Sequence, residues 1–216
     1  MTIKSFTNLT DEFLGNPVLA FQTELYPGFN TALGNIVTKE INKFIEKNGY
    51  DDLTKPFLGA SGFSGYKRIN ILEWRFKESA ELRKLFLEGF KIYLNEFKAQ
   101  YGGSFPEFIT CWPNLITNYG GQLCPHFHDP NPFNISGVYY AAGDFKGGLV
   151  TTNFWPGNKG NKIEKIFRPS LGSLIMFPAN LTHSARAYPS SLPRISLAFD
   201  IFFKGSPKPL FCKFTY

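Results

Sequence analysis

Histidine is scarce in this chain: 216 residues contain three, at positions 126, 128 and 183. Cysteine is equally sparse. Cys111, Cys124 and Cys212 are odd in number and show no Cys-x-x-Cys spacing, so a reducing compartment is the expectation. No apolar stretch reaches the roughly 18 residues of a membrane span, and the opening MTIKSFTNLTDEF has no run of signal-peptide length. The expectation is therefore a soluble, cytoplasmic protein without a membrane partner. A Ser/His/Asp order, a nucleophile elbow and a Walker motif are all missing, which removes the usual grounds for hydrolysis. Gly147-Gly148 is no phosphate loop, because neither a helix start nor a lysine follows it. Charge blocks are missing too. The net charge of +6 is spread without any run of five Lys or Arg, so it reads mainly as a solvated surface. A basic mouth for anionic substrates is a second reading, and nucleic acid is a minor alternative as partner.

What the chain does have is aromatic bulk, with aromatics at 17% and 24 Phe, enough to fill a wide β-sandwich or barrel. Fifteen Pro and 20 Gly favour many turns and short strands over a helical bundle. Two helices are expected ahead of the strands. Leu33, Ile36, Val37, Ile41, Phe44 and Ile45 recur at three and four residues between Asn30 and Asn48, with Gly49 as the closing residue. Leu82, Leu85, Phe86, Phe90, Tyr93, Leu94 and Phe97 form a second stripe between Ser79 and Gln100, stopped by Gly102-Gly103. Residues 51–68, rich in Gly, Ser and Pro, read as a long loop. After Gly103 the period drops to about two. Strands are expected at Phe108–Asn118, Ser136–Ala142, Leu149–Phe154, Ile163–Arg168, Ser173–Phe177, Thr182–Ala187 and Arg194–Phe203, the pattern of an all-β sandwich or barrel. We expect one domain over 1–216, with 1–103 as helical support and N-terminal strands, 104–216 as the β core, and the helices buttressing one outer face.

The histidines cluster where the chemistry would be. His126 and His128 flank Phe127, and alternate residues of a strand share a face, so both imidazoles can reach one ion. Imidazole suits Fe, Zn, Cu or Ni. His183 follows the Gly172–Pro178 run, and a barrel can bring it opposite the first pair. Arg194 stands in an otherwise apolar strand, where a buried guanidinium needs a carboxylate. Asp200 is the nearest acid. An external dicarboxylate would satisfy the guanidinium fork, with Ser196 adding a hydroxyl from the same strand face. Trp112, Asn114 and Asn118 share a strand face and are candidates for a pocket wall, with a core role as the alternative for Trp112. Trp155 is a candidate cap on a substrate groove, or a packed turn.

A metal motif, a distal His and an Arg-x-Ser about ten residues later resemble the 2-oxoglutarate/Fe(II) oxygenase superfamily. The likeness runs from Trp112 to Phe203, through Trp112-Pro113-Asn114, HFHDPNPFNISGVYY and GSLIMFPANLTHSARAYPSSLPRISLAFD. It is nearest to a prolyl-hydroxylase-like oxygenase group frequent in marine phages and bacteria, with an HxH…SGVYY…FP…H…R pattern. Phage origin would place the protein in a host cytoplasm. The resemblance implies a double-stranded β-helix (jelly-roll, cupin-like) core, Fe(II) as metal and 2-oxoglutarate as cosubstrate. By residue it implies His126 and His183 as metal ligands and Arg194 with Ser196 as anchor for the remote carboxylate. Tyr140 matches a tyrosine that bonds the same carboxylate, with a core aromatic as the other reading.

One departure from the superfamily matters: its usual triad is His-x-Asp plus a distal His, and here the third position of the motif is His128. Three readings stand: a three-histidine site of His126, His128 and His183; Asp129 swung in by a bulge at the strand end; or a different metal or none. Asp129 otherwise reads as a second partner for an imidazole or a turn residue before Pro130. The implied reaction uses molecular oxygen and hydroxylates a small-molecule or peptidyl substrate, with succinate and CO2 as co-products. Halogenation is disfavoured, because His128 is large where halogenases carry a small residue. Two rivals remain: a three-histidine dioxygenase that does not use 2-oxoglutarate, and a non-catalytic jelly-roll binding module. Segments 51–68 and 154–162 are expected to shape the entrance, since specificity commonly rides on loops.

Overall fold

The computed structural model describes residues 2–10, 15–49, 62–66, 68–97, 106–116, 123–129, 134–145, 148–154, 162–186 and 192–203. Strands β1 (Thr2–Asn8) and β2 (Leu19–Glu24) precede helix α1 (Phe29–Asn48). Strand β3 (Gly62–Ser64) and a 3₁₀ turn (Ile71–Glu73) lead to helix α2 (Lys77–Glu96). The β core follows as β4 (Pro106–Ile116), β5 (Leu123–His126), β6 (Ile135–Ala142), β7 (Leu149–Phe154), β8 (Lys162–Phe167), β9 (Ser173–Pro178), β10 (His183–Ala185) and β11 (Arg194–Phe203).

Both helices form for the reasons their spacing suggests. In α1, Phe29, Leu33, Val37 and Ile41 recur every four residues and are buried together. Gly49 ends it at a positive φ (76°), its N–H donating to the Ile45 carbonyl. In α2, Leu82, Leu85, Phe86, Phe90 and Tyr93 form the buried stripe. It starts two residues before the expected Ser79 and ends at Glu96; the Gly102-Gly103 stop lies outside the described residues. No described helix is long and apolar enough to cross a membrane.

Seven strands build one antiparallel sheet in the order β1-β2-β9-β6-β11-β4-β3, and four build a smaller one in the order β5-β10-β7-β8. This is the two-sheet arrangement of a double-stranded β-helix, extended by β1, β2 and β3. Alternation sorts the large sheet into two faces. Tyr139, Leu174, Met176, Leu197, Phe199 and Ile201 pack on the helices, in one core with Leu33, Val37, Leu82, Leu85 and Phe86. Phe86 stacks on Phe199 with ring centroids 4.1 Å apart. Burial of each such ring contributes about 1.5–3 kcal/mol. Val138, Tyr140, Ile175 and Phe177 point the other way, into a second apolar cluster with Val18, Phe145 and Leu181. The small sheet lies against this second face, where His183 of β10 packs on Phe177 of β9 at 4.7 Å.

The helices thus buttress one outer face, as expected. The loop expected over 51–68 contains a strand instead. Residues 62–64 pair with Asn114–Ile116 of β4 through backbone hydrogen bonds, which a Gly-Phe-Ser triplet does not announce. Residues 51–61 lie outside the described part.

Gly137 of β6 marks where the packing is tightest. A Cβ there would sit 2.3 Å from the Phe199 ring and 2.5 Å from the Ile175 carbonyl oxygen. Gly137→Ala should destabilise the protein by about 2 kcal/mol or more. An unchanged urea midpoint would contradict this account of the sheet–helix contact.

Candidate metal centre

Strand β10 is three residues long and lies between β5 and β7, with His183 as the cross-strand partner of His126. His128 sits just past the end of β5, where its own N–H and that of Asp129 both donate to the Ala179 carbonyl, at 2.9 and 3.2 Å. Phe127 is turned out, 53% exposed, so its two histidine neighbours turn in. Ring centroids are 4.4 Å apart for His126 and His183, 4.9 Å for His128 and His183, and 5.3 Å for His126 and His128.

Hydrogen bonds set the orientation of each ring. Nδ1 of His126 lies 2.8 Å from the Cys124 carbonyl and Nδ1 of His183 lies 2.9 Å from the Leu181 carbonyl. Nδ1 of His128 lies 2.6 Å from the Asp200 carboxylate. Carbonyls and carboxylates only accept, so each Nδ1 carries a proton, and Nε2 is the ring nitrogen left to face a metal. One ring nitrogen from every histidine lies within 4.8 Å of those of the other two, a group that can hold a metal ion. Asp129 does not enter this group.

Burial keeps His126 and His183 neutral. Desolvation, then the neighbouring His128, brings His126 down to about 4. Desolvation, then its histidine neighbours, holds His183 well below the usual imidazole range. A metal needs the neutral ring, so burial prepares the donors before an ion arrives. Three imidazoles converging on one point are a donor set that fits Fe(II).

A second group lies on the inner face of the large sheet. Ser196 of β11 is paired with Tyr140 of β6 on one side and Asn114 of β4 on the other. Arg194, two residues before Ser196, is 8% exposed. Its Nη1 donates to the Arg186 carbonyl at 3.3 Å, and no ion pair joins it to a carboxylate among the described residues. Burial lowers its guanidinium from the ordinary value, while Tyr140 and Asp144 oppose that shift. Burial also raises Tyr140, against the pull of Arg194. Gly143 approaches closely here: at φ 102°, a Cβ would lie 2.2 Å from the Pro193 carbonyl oxygen and 2.7 Å from the Arg194 Cα. Only glycine accommodates that contact without displacing the start of β11.

Asp200, the acid nearest Arg194 in sequence, lies on the same face of β11 but has other partners: its carboxylate takes His128 and the Ser136 hydroxyl. Sequence reasoning missed that role. The signal available was a second buried charge on the face of β11 that carries Arg194 and Ser196. Trp112 adjoins the metal group, its ring 5.2 Å from His128 and 5.0 Å from Tyr66. Asn114 accepts from the Ser64 hydroxyl at 2.6 Å. Asn118 and Trp155 lie outside the described residues.

Residues 110–200 match the family model described as "Putative 2OG-Fe(II) oxygenase", a stretch that contains the three histidines, Tyr140, Arg194, Ser196 and Asp200. Over this stretch the chain is similar to 2OG-Fe(II) oxygenases, and an oxygenase is the activity that the match supports. Iron and 2-oxoglutarate are the cofactor and cosubstrate of this oxygenase, and the three-histidine group suits the metal. Among solved structures, a prolyl-4-hydroxylase from Pseudomonas putida is similar at 15% identity and a TM-score of 0.57, over 91% of this chain and 98% of that one. A prolyl hydroxylase from Trichoplax adhaerens, in complex with a hypoxia inducible factor peptide fragment, is similar at 14% identity and a TM-score of 0.55, over 90% and 87%. The epimerase SnoN from nogalamycin biosynthesis is similar at 11% identity and a TM-score of 0.57, over 90% and 80%. These likenesses show the double-stranded β-helix fold. No curated protein matches the chain in sequence.

The lowered histidines carry a pH consequence for the metal-free oxygenase. An unfolded histidine titrates near 6.5, whereas folded His126 titrates at about 4. Between those values the unfolded chain takes up a proton that the folded chain refuses, so stability is full above about 6.5 and falls toward 4. Urea midpoints at pH 7 and 4.5 should show this loss, and His126→Gln should reduce it. A variant as acid-sensitive as the parent would contradict the assignment to His126.

Proposed function

We propose that this oxygenase hydroxylates a small-molecule or peptidyl substrate, with succinate and CO2 as co-products, and that His126, His128 and His183 hold its iron. The observation that carries the ligand set is the convergence of three imidazoles with every Nδ1 already committed to an acceptor. Bound Fe(II) supplies oxygen activation coupled to decarboxylation of the 2-oxo acid. The chain supplies position and shelter. Asp129 is the leading substitute for His128 as a ligand.

In this reading Arg194 anchors the remote carboxylate of 2-oxoglutarate. A buried guanidinium held by one long hydrogen bond to a carbonyl has donors to spare, and a carboxylate matches its fork. Ser196 and Tyr140, register partners on adjacent strands, stand on the same side of the sheet to add hydroxyl contacts. The apolar cluster of Val138, Phe145, Ile175 and Phe177 lies beside them and keeps bulk water from the cosubstrate. A peptidyl substrate is favoured only by fold kinship with prolyl hydroxylases, an analogy rather than a property of this site. We further propose that residues 1–216 act as one oxygenase domain in a reducing cytoplasm.

Anaerobic titration of the Fe(II)-loaded protein with 2-oxoglutarate should produce a weak visible charge-transfer band near roughly 500 nm. Iron binding without that band would favour a three-histidine dioxygenase that needs no 2-oxo acid. Loss of iron binding from the wild type would favour a binding module. Arg194→Ala should weaken 2-oxoglutarate at least about thirtyfold, or about 2 kcal/mol, while iron still binds. His183→Ala should abolish iron binding. Should Asp129→Ala lose the metal while His128→Ala keeps it, Asp129 and not His128 is the ligand.

A further inference from the structure

On the three-histidine reading, no carboxylate touches the metal directly, although a two-histidine, one-carboxylate triad places one there. We propose that Asp200 is a positioning residue that supplies the missing negative charge from one hydrogen bond further out, through His128. This goes beyond the ligand assignment and rests on it.

The arrangement sets Asp200 apart from an ordinary buried acid. Its Oδ1 lies 2.6 Å from His128 Nδ1 and 2.5 Å from the Ser136 hydroxyl, which donates to it. The side chains of His128 and Asp200 are 4% and 8% exposed, so the bond between them is shielded from solvent. Strand pairing fixes the Asp200 backbone on both sides, opposite Thr110 of β4 and Ser136 of β6, and Ser136 alone of the two bonds its carboxylate. Among the described residues no Lys or Arg pairs with Asp200. Arg194, on the same strand, bonds instead to the Arg186 carbonyl.

Burying a carboxylate is costly unless a positive charge answers it. A cation on Nε2 of His128 provides that answer across the ring. The other two histidines back onto peptide carbonyls, which are neutral acceptors. His128 alone has an anion behind it. The ring is therefore held in the tautomer that presents Nε2, and its donor strength is raised. A negative charge that a His-x-Asp motif would carry at position 128 is thus delivered from position 200, across the two sheets.

The test is anaerobic Co(II) binding to the full chain, read by affinity and by the visible ligand-field spectrum, with histidine tautomers followed by 15N NMR in the metal-free protein. Asp200→Asn keeps an oxygen acceptor for His128 but removes the charge. It should weaken Co(II) about 10- to 100-fold and leave His128 protonated on Nδ1. Asp200→Ala removes both, so the Nδ1–H tautomer should also be lost. Ser136→Ala, which leaves the charge but frees one side of the carboxylate, should weaken Co(II) about threefold. Wild-type affinity in both Asp200 variants, with the tautomer kept, would overturn the proposal. If the Asp200 variants do not fold, Ser136→Ala decides, and unchanged affinity there overturns it. His183→Ala is the separate control: Co(II) retained in that variant defeats the ligand assignment itself, whatever the Asp200 variants do.

Discussion

Strand β11 is paired on both sides, with β4 and with β6, and that double pairing dictates what each of its ten residues faces. Ile195, Leu197, Phe199 and Ile201 can only point at the helices, where they enter the main core. The alternate positions, Arg194, Ser196, Ala198 and Asp200, are left to the opposite face. A slip of one residue would put Phe199 in the site and Arg194 among leucines, so the hydrophobic core and the polar site hold each other in register. The position of a guanidinium at one end of this face and a carboxylate at the other follows from that constraint.

The proposed site is divided between the two sheets. The small sheet brings His126 and His183 together as cross-strand partners and leaves His128 just beyond its edge. The large sheet contributes Asp200, Ser136, Arg194, Ser196 and Tyr140. All three imidazoles are oriented by acceptors that the backbone or β11 has already placed. The ring nitrogens are arranged before any ion binds, and the ordering cost falls on folding rather than on binding.

Much of this was legible in the sequence because it rests on period and on rarity. The helical stripes at 33–45 and 82–97 and the strands at 149–154 and 194–203 carry unmistakable spacing. Three histidines in 216 residues leave little choice of metal ligands. Strand β3 was hidden because its pairing is made by backbone, which no side-chain pattern reports. β1 and β2 were anticipated only as unspecified N-terminal strands, since mixed segments such as Ile3–Asn8 show neither period cleanly. Asp200 was noted only as the acid nearest Arg194 in sequence. Its bond to His128 joins residues 72 positions apart, a tertiary contact that no pattern along the strand reports.

Strand β10 has only three residues and still carries the most buried histidine of the group. So short a strand has few hydrogen bonds of its own to resist local opening, and amide exchange there reports that weakness rather than global unfolding. A metal bridging His183 to His126 and His128 would clasp β10 to the end of β5, and through Asp200 to the large sheet. The ion is then also a fastener, and the slowest proton exchange in the small sheet belongs to the loaded protein.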